Sequence, residues 1–237
     1  GFTMKTITKG FVLLLLLPSQ QILAEVIVDG SLGGVQQVLP GPIYNIDESL
    51  GRREGNNLFH SFSQFNINSG EQAAFTAGQL TDHILVRVTG GQSSWVDGII
   101  SSDSPANLWL MNPAGWVIGQ NAQLNVQGAF HLSSADGIGF SEGAMFFADP
   151  ASQSVLSASA PIGYQFNQGV QATITLDQAD LIMPDRQDIS VVGGDINIQN
   201  ASISALGGRI VLASNSGEGQ WHFEGDGITQ ERGMQGL

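Results

Sequence analysis

Chemistry in this cysteine-free chain of 237 residues must come from histidine, carboxylate, hydroxyl and amide groups. Without cysteine, disulfides, thiolate metal sites and a cysteine nucleophile are excluded together. Four histidines occur, His60, His83, His131 and His222. No two of them stand two or four residues apart, so the spacing that brings two imidazoles to one metal is missing. His60 precedes Ser61 in Leu58-Phe59-His60-Ser61-Phe62, which invites a serine–histidine pairing. No G-x-S-x-G elbow surrounds it, and adjacency in sequence does not make a triad. His60 reads as a packed histidine on an alternating strand. Asp177, Asp180, Asp185 and Asp188 form the densest acidic group, in two Asp-x-x-Asp pairs. Oxygen-rich loops bind calcium. The EF-hand spacing and the glycine-rich calcium nonapeptide are nevertheless absent, so a solvated turn is the simpler reading. Gly90-Gly91 and Gly193-Gly194 are followed by neither lysine nor a helix start and are not phosphate loops. No metal and no cofactor is expected.

The remaining candidate is NLWLMNPAGWVIG, residues 107–119. An apolar run stops at Asn112-Pro113, turns through Ala114-Gly115 and resumes. Asparagine opens a turn by bonding nearby backbone, and proline in second place presets φ near about −65°. Gly115 then supplies conformational freedom. With no base, cation or metal ligand beside it, the stretch reads as a corner in the backbone.

Composition narrows the partners. Charged residues make up 12% of the chain and glycine counts 31, which favours turns over exposed helices. The net charge is −13, and both lysines, Lys5 and Lys9, lie in the first ten residues. Met4 to Gly10 is a short basic region, and Phe11 to Leu17 is apolar. Pro18 and polar residues follow, then Ile22-Leu23-Ala24 before Glu25. This is the pattern of a secretory signal peptide cleaved after Ala24, with Gly1-Phe2-Thr3 as upstream residues. Seven apolar residues are too few to span a bilayer, which takes about 20. Removing both lysines takes the net charge from −13 to −15 and leaves six arginines. Phosphate backbones need clustered cations, so nucleic acid is a poor partner, as are anionic membranes. The mature protein is expected to be exported, soluble and monomeric.

The elements that must position these residues are short and alternate with period two. Examples are Glu25-Val26-Ile27-Val28-Asp29, His83-Ile84-Leu85-Val86-Arg87-Val88 and Trp95-Val96-Asp97-Gly98-Ile99-Ile100, bounded by Gly, Asn or Asp. Helical spacing occurs only briefly, near Gln72-Ala73-Ala74 and over residues 152–159, so helix content should be low. Residues 189–216 divide into sevens: ISVVGGD, INIQNAS, ISALGGR, IVLASNS. Isoleucine opens each, at Ile189, Ile196, Ile203 and Ile210. A coiled coil fails here, because Gly193-Gly194 and Gly207-Gly208 would cost a helix about 1 kcal/mol per glycine. A solenoid with a corner every seven residues fits instead. Three sides make a coil of about 21 residues, and coils stack about 4.8 Å apart through parallel ladders. Ile189 should then sit near Ile210. Leu110, Val117 and Leu124 repeat the spacing, so one parallel β-helix is expected over most of the chain. Residues 25–50 read as a β cap over the first coil. The helix proper is placed at 51–216, and 217–237 is read as a tail leading into a longer exoprotein. Residues 163–182 break the sevens and read as an extra-helical hairpin of two alternating segments, 164–166 and 172–176.

Several blocks, in order and spacing, carry a family resemblance. They are Asn57-Leu58-Phe59-His60-Ser61-Phe62-Ser63-Gln64-Phe65-Asn66-Ile67, Arg87-Val88-Thr89-Gly90-Gly91, Asp97-Gly98-Ile99-Ile100 and Asn107-Leu108-Trp109-Leu110-Met111-Asn112-Pro113-Ala114-Gly115. Gln120 to Gly128, Val192-Gly193-Gly194-Asp195 and Gly207-Gly208-Arg209-Ile210 extend them. Together they resemble the secretion domain of filamentous haemagglutinin-like exoproteins of two-partner secretion systems, the haemagglutination activity domain family. The glycine-rich wording of the later blocks looks most like the cyanobacterial branch. The resemblance implies an all-β, right-handed parallel β-helix with N-terminal capping strands, and secretion from a Gram-negative-type bacterium after a transient stay in the periplasm. No enzymatic activity is expected, because a lysine-free mature chain of strong negative charge repels the acidic polysaccharides that β-helix enzymes cut, and no carboxylate pair is suitably placed. The partner implied by the resemblance is an outer-membrane barrel that reads the chain through periplasmic transport domains. The residues it implicates in recognition or folding are Asn57, Leu58, Phe59, His60, Phe62, Asn112, Pro113 and Gly115. The family hallmark is Asn-Pro-Asn-Gly, so Ala114 departs from it. A second Asn-Pro motif known from the family is also missing. Two other functions stay open on sequence: an adhesin module that binds glycans, and a β-helix enzyme that cuts neutral glycans.

Overall fold

A computed structural model describes residues 25–167, 169–224 and 227–231. The signal peptide expected over residues 1–24 lies outside them, as do residues 232–237 of the expected tail.

The chain is an all-β parallel solenoid of about seven turns, accompanied by antiparallel strands. Its main face stacks six parallel strands in the order Asn57–Phe65, His83–Val88, Asn107–Met111, Phe130–Ser133, Ile189–Gly193 and Ile210–Ser214. A second face carries Ser94–Val96, Trp116–Ile118, Ile174–Asp177 and Ile196–Gln199. The third carries Ile43–Asp47, Gln72–Thr76, Ile99–Ser102 and Gln123–Asn125, with Asp180–Ile182 and Ser202–Ser204 as a further parallel pair. The seven-residue period maps onto this geometry directly. Ile189, Ile196 and Ile203 lie on successive strands, and Ile189 is paired with Ile210 one coil later. Leu110, Val117 and Leu124 also fall on three successive strands.

Inward side chains stack in columns. One runs Leu58, Ile84, Leu108, Phe130, Ile189 and Ile210; the next runs His60, Val86, Leu110, Leu132, Val191 and Leu212. The glycine pairs are explained by the corners between faces. A Cβ on Gly194 would lie 2.4 Å from the carbonyl oxygen of Gln171, and one on Gly208 would lie 2.0 Å from that of Gln187. Only glycine lets neighbouring coils approach so closely.

Antiparallel strands close the first coil. Val26–Val28 pairs with Asn57–Phe65 and with Gln37–Val38, and Arg52–Glu54 folds back on Asn57–Phe65. Among the described residues the one helical turn is Glu48–Leu50. Gln72–Thr76 is a strand and residues 152–159 hold no regular element, so neither short stretch of helical spacing becomes a helix.

A second antiparallel sheet lies beside the solenoid, in the order Met145–Phe147, Gly137–Phe140, Pro161–Phe166, Gly219–Glu224 and Gly227–Glu231. This corrects the extra-helical hairpin expected over residues 163–182. Tyr164 and Phe166 belong to the lateral sheet, whereas Ile174–Asp177 lies in the second face of the solenoid. Alternation identified both strands but not their partners. Gly219–Glu224 and Gly227–Glu231, within the segment read as a tail, are two strands of the lateral sheet. The sheet covers the outer side of the main face, where Phe59, Leu85, Trp109, Met111 and Val192 pack against Ile138, Phe140, Phe146, Tyr164 and Phe166. Main-face strands are therefore buried on both sides, with polar residues such as Ser61, Arg87, His131 and Ser190 buried among the apolar ones.

Candidate recognition segment and turn

The residues singled out from the sequence fall in two places, the first main-face strand and the corner after the third. In the first, alternation sends Leu58, His60 and Phe62 into the solenoid core and Asn57, Phe59 and Ser61 towards the lateral sheet. Asn57 donates through Nδ2 to the carbonyls of Ser157 and Ser159, at 2.8 and 2.7 Å. Phe59 meets Phe146 edge-on, with ring centroids 5.0 Å apart. His60 stacks against Phe62 and meets Phe75 edge-on, and neither of its ring nitrogens has a hydrogen-bond partner. Burial pushes its pKa down to about 4, against a weaker upward pull from Asp47 and Glu48. His60 and Ser61 point to opposite faces, so the tempting serine–histidine pair does not form.

Ser61 belongs to a different network, one whose role sequence reasoning missed. Arg87 is buried and donates to Ser61 Oγ, Ser31 Oγ, Ser154 Oγ and the Phe147 carbonyl, while its guanidinium lies 4.9 Å from the Phe146 ring centre. Asp29 accepts from Ser31, Ser61 and Thr89. These hydrogen bonds hold its pKa below the ordinary carboxylate value although burial, the largest single influence, acts the other way. The network joins the cap, the first two coils and the lateral sheet. The signal for it was a lone arginine inside the apolar run HILVRV.

At the corner, Asn112 leaves the main face and Trp116–Ile118 begins the second. Asn112 is fully buried, and its Nδ2 donates to the Gln92 carbonyl and to Ser94 Oγ, both at 2.9 Å. Its Oδ1 accepts from the Ala114 amide at 2.9 Å, and its carbonyl accepts from the Gly115 amide at 2.9 Å, closing the turn. Its own amide donates to the Ser133 carbonyl of the next coil. One side chain thus ties the corner to the coil before it and the backbone to the coil after it. Gly115 has φ of +94°, and a Cβ there would lie 2.5 Å from the Thr173 carbonyl oxygen, so glycine is required twice over. Ala114 is not among the residues with positive φ. The third place of the turn therefore makes no left-handed demand, which explains how alanine stands where the family hallmark has asparagine. Pro113 and Ala114 line an open cleft of about 380 Å³ with Asp136, Asp149 and Asn167.

The two places share one edge of the main face. Phe62 pairs with Val88, and Arg87, just before it, pairs with Met111, just before Asn112. Seven of the eight residues, Asn57, Leu58, Phe59, His60, Phe62, Asn112 and Gly115, are buried, and Pro113 is half-buried. The acidic group is dispersed: Asp180 accepts from Ser202, and Asp188 pairs with Arg209 at 2.6 Å. Among the described residues no cluster of three or more His, Asp or Glu side chains is arranged to hold a metal ion.

The TPS secretion domain family matches residues 24–232, a span that includes both lateral strands of the segment 219–231. The match is to the family as a whole and does not single out a cyanobacterial branch. No curated protein matches the chain.

Proposed function

The chain belongs to the TPS secretion domain family, and from that membership we propose that it is recognised by its transporter as an unfolded chain and loses the recognition signal as it folds. Members of the family are secretion modules of exoproteins from Gram-negative bacteria, generally without enzymatic activity, and work with an outer-membrane partner. The residues we assign to recognition are Asn57, Leu58, Phe59, His60, Phe62, Asn112, Pro113 and Gly115. The partner surface is the periplasmic transport domains of the barrel.

One observation carries the reading: seven of those eight residues are buried in the folded domain. A partner can grip Leu58, Phe59 or Phe62 only before the main face forms. The strand edge of residues 57–65 is likewise free for pairing only before His83–Val88 takes it. Folding outside the cell then hides the signal and makes passage one-way. At the far end of the solenoid Ile198, Ile210 and Leu212 stay exposed and offer apolar columns on which a further coil can stack.

The test is titration of the purified periplasmic domains with the chain in two states, diluted freshly from urea and fully refolded. Binding is expected to the first and not to the second. Equal affinity for the refolded domain would overturn the reading, as would secretion that persists without the barrel.

A further inference from the structure

The inward column that continues as Val86, Leu110, Leu132 and Val191 begins, at the capped end, with a histidine. His60 is 1% exposed, and both ring nitrogens lack partners. Its walls are Phe62 and Phe75. Its lid is the turn Glu48–Leu50 with Gly51, packed so closely that a Cβ on Gly51 would come within 2.9 Å of the imidazole. The charged groups that act on His60 are Glu48, in this lid and held by Arg53 at 2.6 Å, and Asp47, which caps the lid from the end of the strand Ile43–Asp47. From the strands Gln72–Thr76 and His83–Val88, the neighbours Phe75 and Val86 carry no charge.

A neutral imidazole survives unpaired in such a place, but an imidazolium does not, because its desolvation has no compensating bond. The ordinary histidine pKa of 6.5 falls to about 4 in the folded domain. Stability tied to His60 is therefore complete above about pH 6.5 and is lost as pH falls towards about 4. Which element yields is decided by packing. Glu48–Leu50 has no buried residue and Arg52–Glu54 is exposed throughout. The strand that carries His60 is instead held by parallel pairing on one side and by two cores. The lid is the cheapest element to open.

We propose that residues 48–54 form an acid-released latch: a proton on His60 expels this lid and frees the strand edge at the recognition residues Asn57, Leu58 and Phe59, with which Arg52–Glu54 pairs. The opening rests on the geometry of His60 alone; its consequence for recognition rests on the function proposed above.

Hydrogen exchange on the whole domain tests it. After correction for the pH dependence of the exchange chemistry, residues 48–54 should exchange about 20-fold faster at about pH 5 than at about pH 7. The strand His83–Val88 should stay protected over that range. His60→Phe keeps the ring stacking and cannot be protonated, so it should abolish the acid response of the lid. His60→Leu serves if the phenylalanine variant does not fold. The proposal is overturned if the wild-type lid keeps its protection, if its acid response survives both variants, or if the main face opens together with it. His131 is buried in the other core against Trp109, where burial likewise pushes its pKa down, and His60 variants leave it in place. Capture by the periplasmic domains is measured in parallel. Binding of the acid-opened domain supports the link to recognition, and binding of the urea-unfolded chain alone overturns that link. If neither binds, the proposed function falls and the latch stands on exchange.

Discussion

Leu58 and Ile210 occupy the same inward column at opposite ends of the solenoid, yet Leu58 is 1% exposed and Ile210 46%. The neighbouring column repeats the contrast, with His60 at 1% and Leu212 at 46%. Sequence type does not account for the difference, since three of the four are isoleucine or leucine. What differs is the covering. The first coil lies under Leu39, Tyr44, Ile46 and Leu50 of the N-terminal segment. Above the last coil, the described residues place nothing. A parallel stack has two ends with unpaired strand edges, and each must be capped or continued. Among the described residues the first coil is covered, and the last presents Ile210 and Leu212 half-exposed.

The largest test of that asymmetry is a matched pair of truncations. Leu58→Ala should cost about 2–5 kcal/mol, because a closed coil cannot collapse around the missing atoms. Ile210→Ala should cost only about 1 kcal/mol, since half of the side chain is already in water. Urea unfolding followed by tryptophan fluorescence gives both values. Similar losses would show that the two ends are equally covered and would break the comparison.

A smaller effect is expected on a middle rung, where the coils on both sides constrain a polar residue. Asn112→Ala leaves the Gln92 carbonyl, Ser94 Oγ and the Ala114 amide without their partner. The cost should be about 2 kcal/mol, the range for orphaned buried polar groups. A loss below about 0.5 kcal/mol, the level of an ordinary surface substitution, would mean that water enters the corner and that the middle rungs are looser than the capped end.

The repeat that builds these rungs is plain in the sequence because every coil meets the same corner. Ile189, Ile196, Ile203 and Ile210 recur where each face starts, and Gly194 and Gly208 recur where coils approach too closely for a side chain. The turn at Asn112-Pro113 is legible for a similar reason, since its bonds are local and its residue types are those a turn needs. The lateral sheet is not. Phe59, Leu85 and Trp109 are apolar because something covers them, but their pattern does not name the cover. The covering strands Gly137–Phe140, Pro161–Phe166 and Gly219–Glu224 alternate like any other strands, and the last pairs with the second across an intervening run of solenoid strands, Ile174–Asp177 to Ile210–Ser214, whose period says nothing of that pairing. Hence the alternation at Tyr164 and Phe166 does not name their partners, and nothing in the period attaches Gly219–Glu224 and Gly227–Glu231 to the lateral sheet. Arg87 escaped for a related reason. Its partners Ser31, Ser61, Phe147 and Ser154 come from four separate segments, so the lone arginine in HILVRV does not name them.

The smallest expected effect separates the part of the Asn112–Gly115 turn that the fold requires from the part it leaves free. Asn112 and Gly115 are fixed by bonds and by close approach, whereas Ala114 offers only its amide, which donates to Asn112 Oδ1. That bond is indifferent to the side chain. The backbone at Ala114 is not left-handed, so asparagine gains no conformational advantage there. The Cβ of Ala114 is half-buried at the cleft lined by Asp136, Asp149 and Asn167, where a longer side chain can extend towards solvent. Ala114→Asn, which restores the family hallmark, should therefore shift stability by no more than about 0.5 kcal/mol in either direction. Urea midpoints for this variant and for Asn112→Ala, measured side by side, decide the matter. If Ala114→Asn moved the midpoint as far as Asn112→Ala does, the third place of the turn would be structural. Alanine would then be a defect in the corner instead of a residue that the fold leaves free.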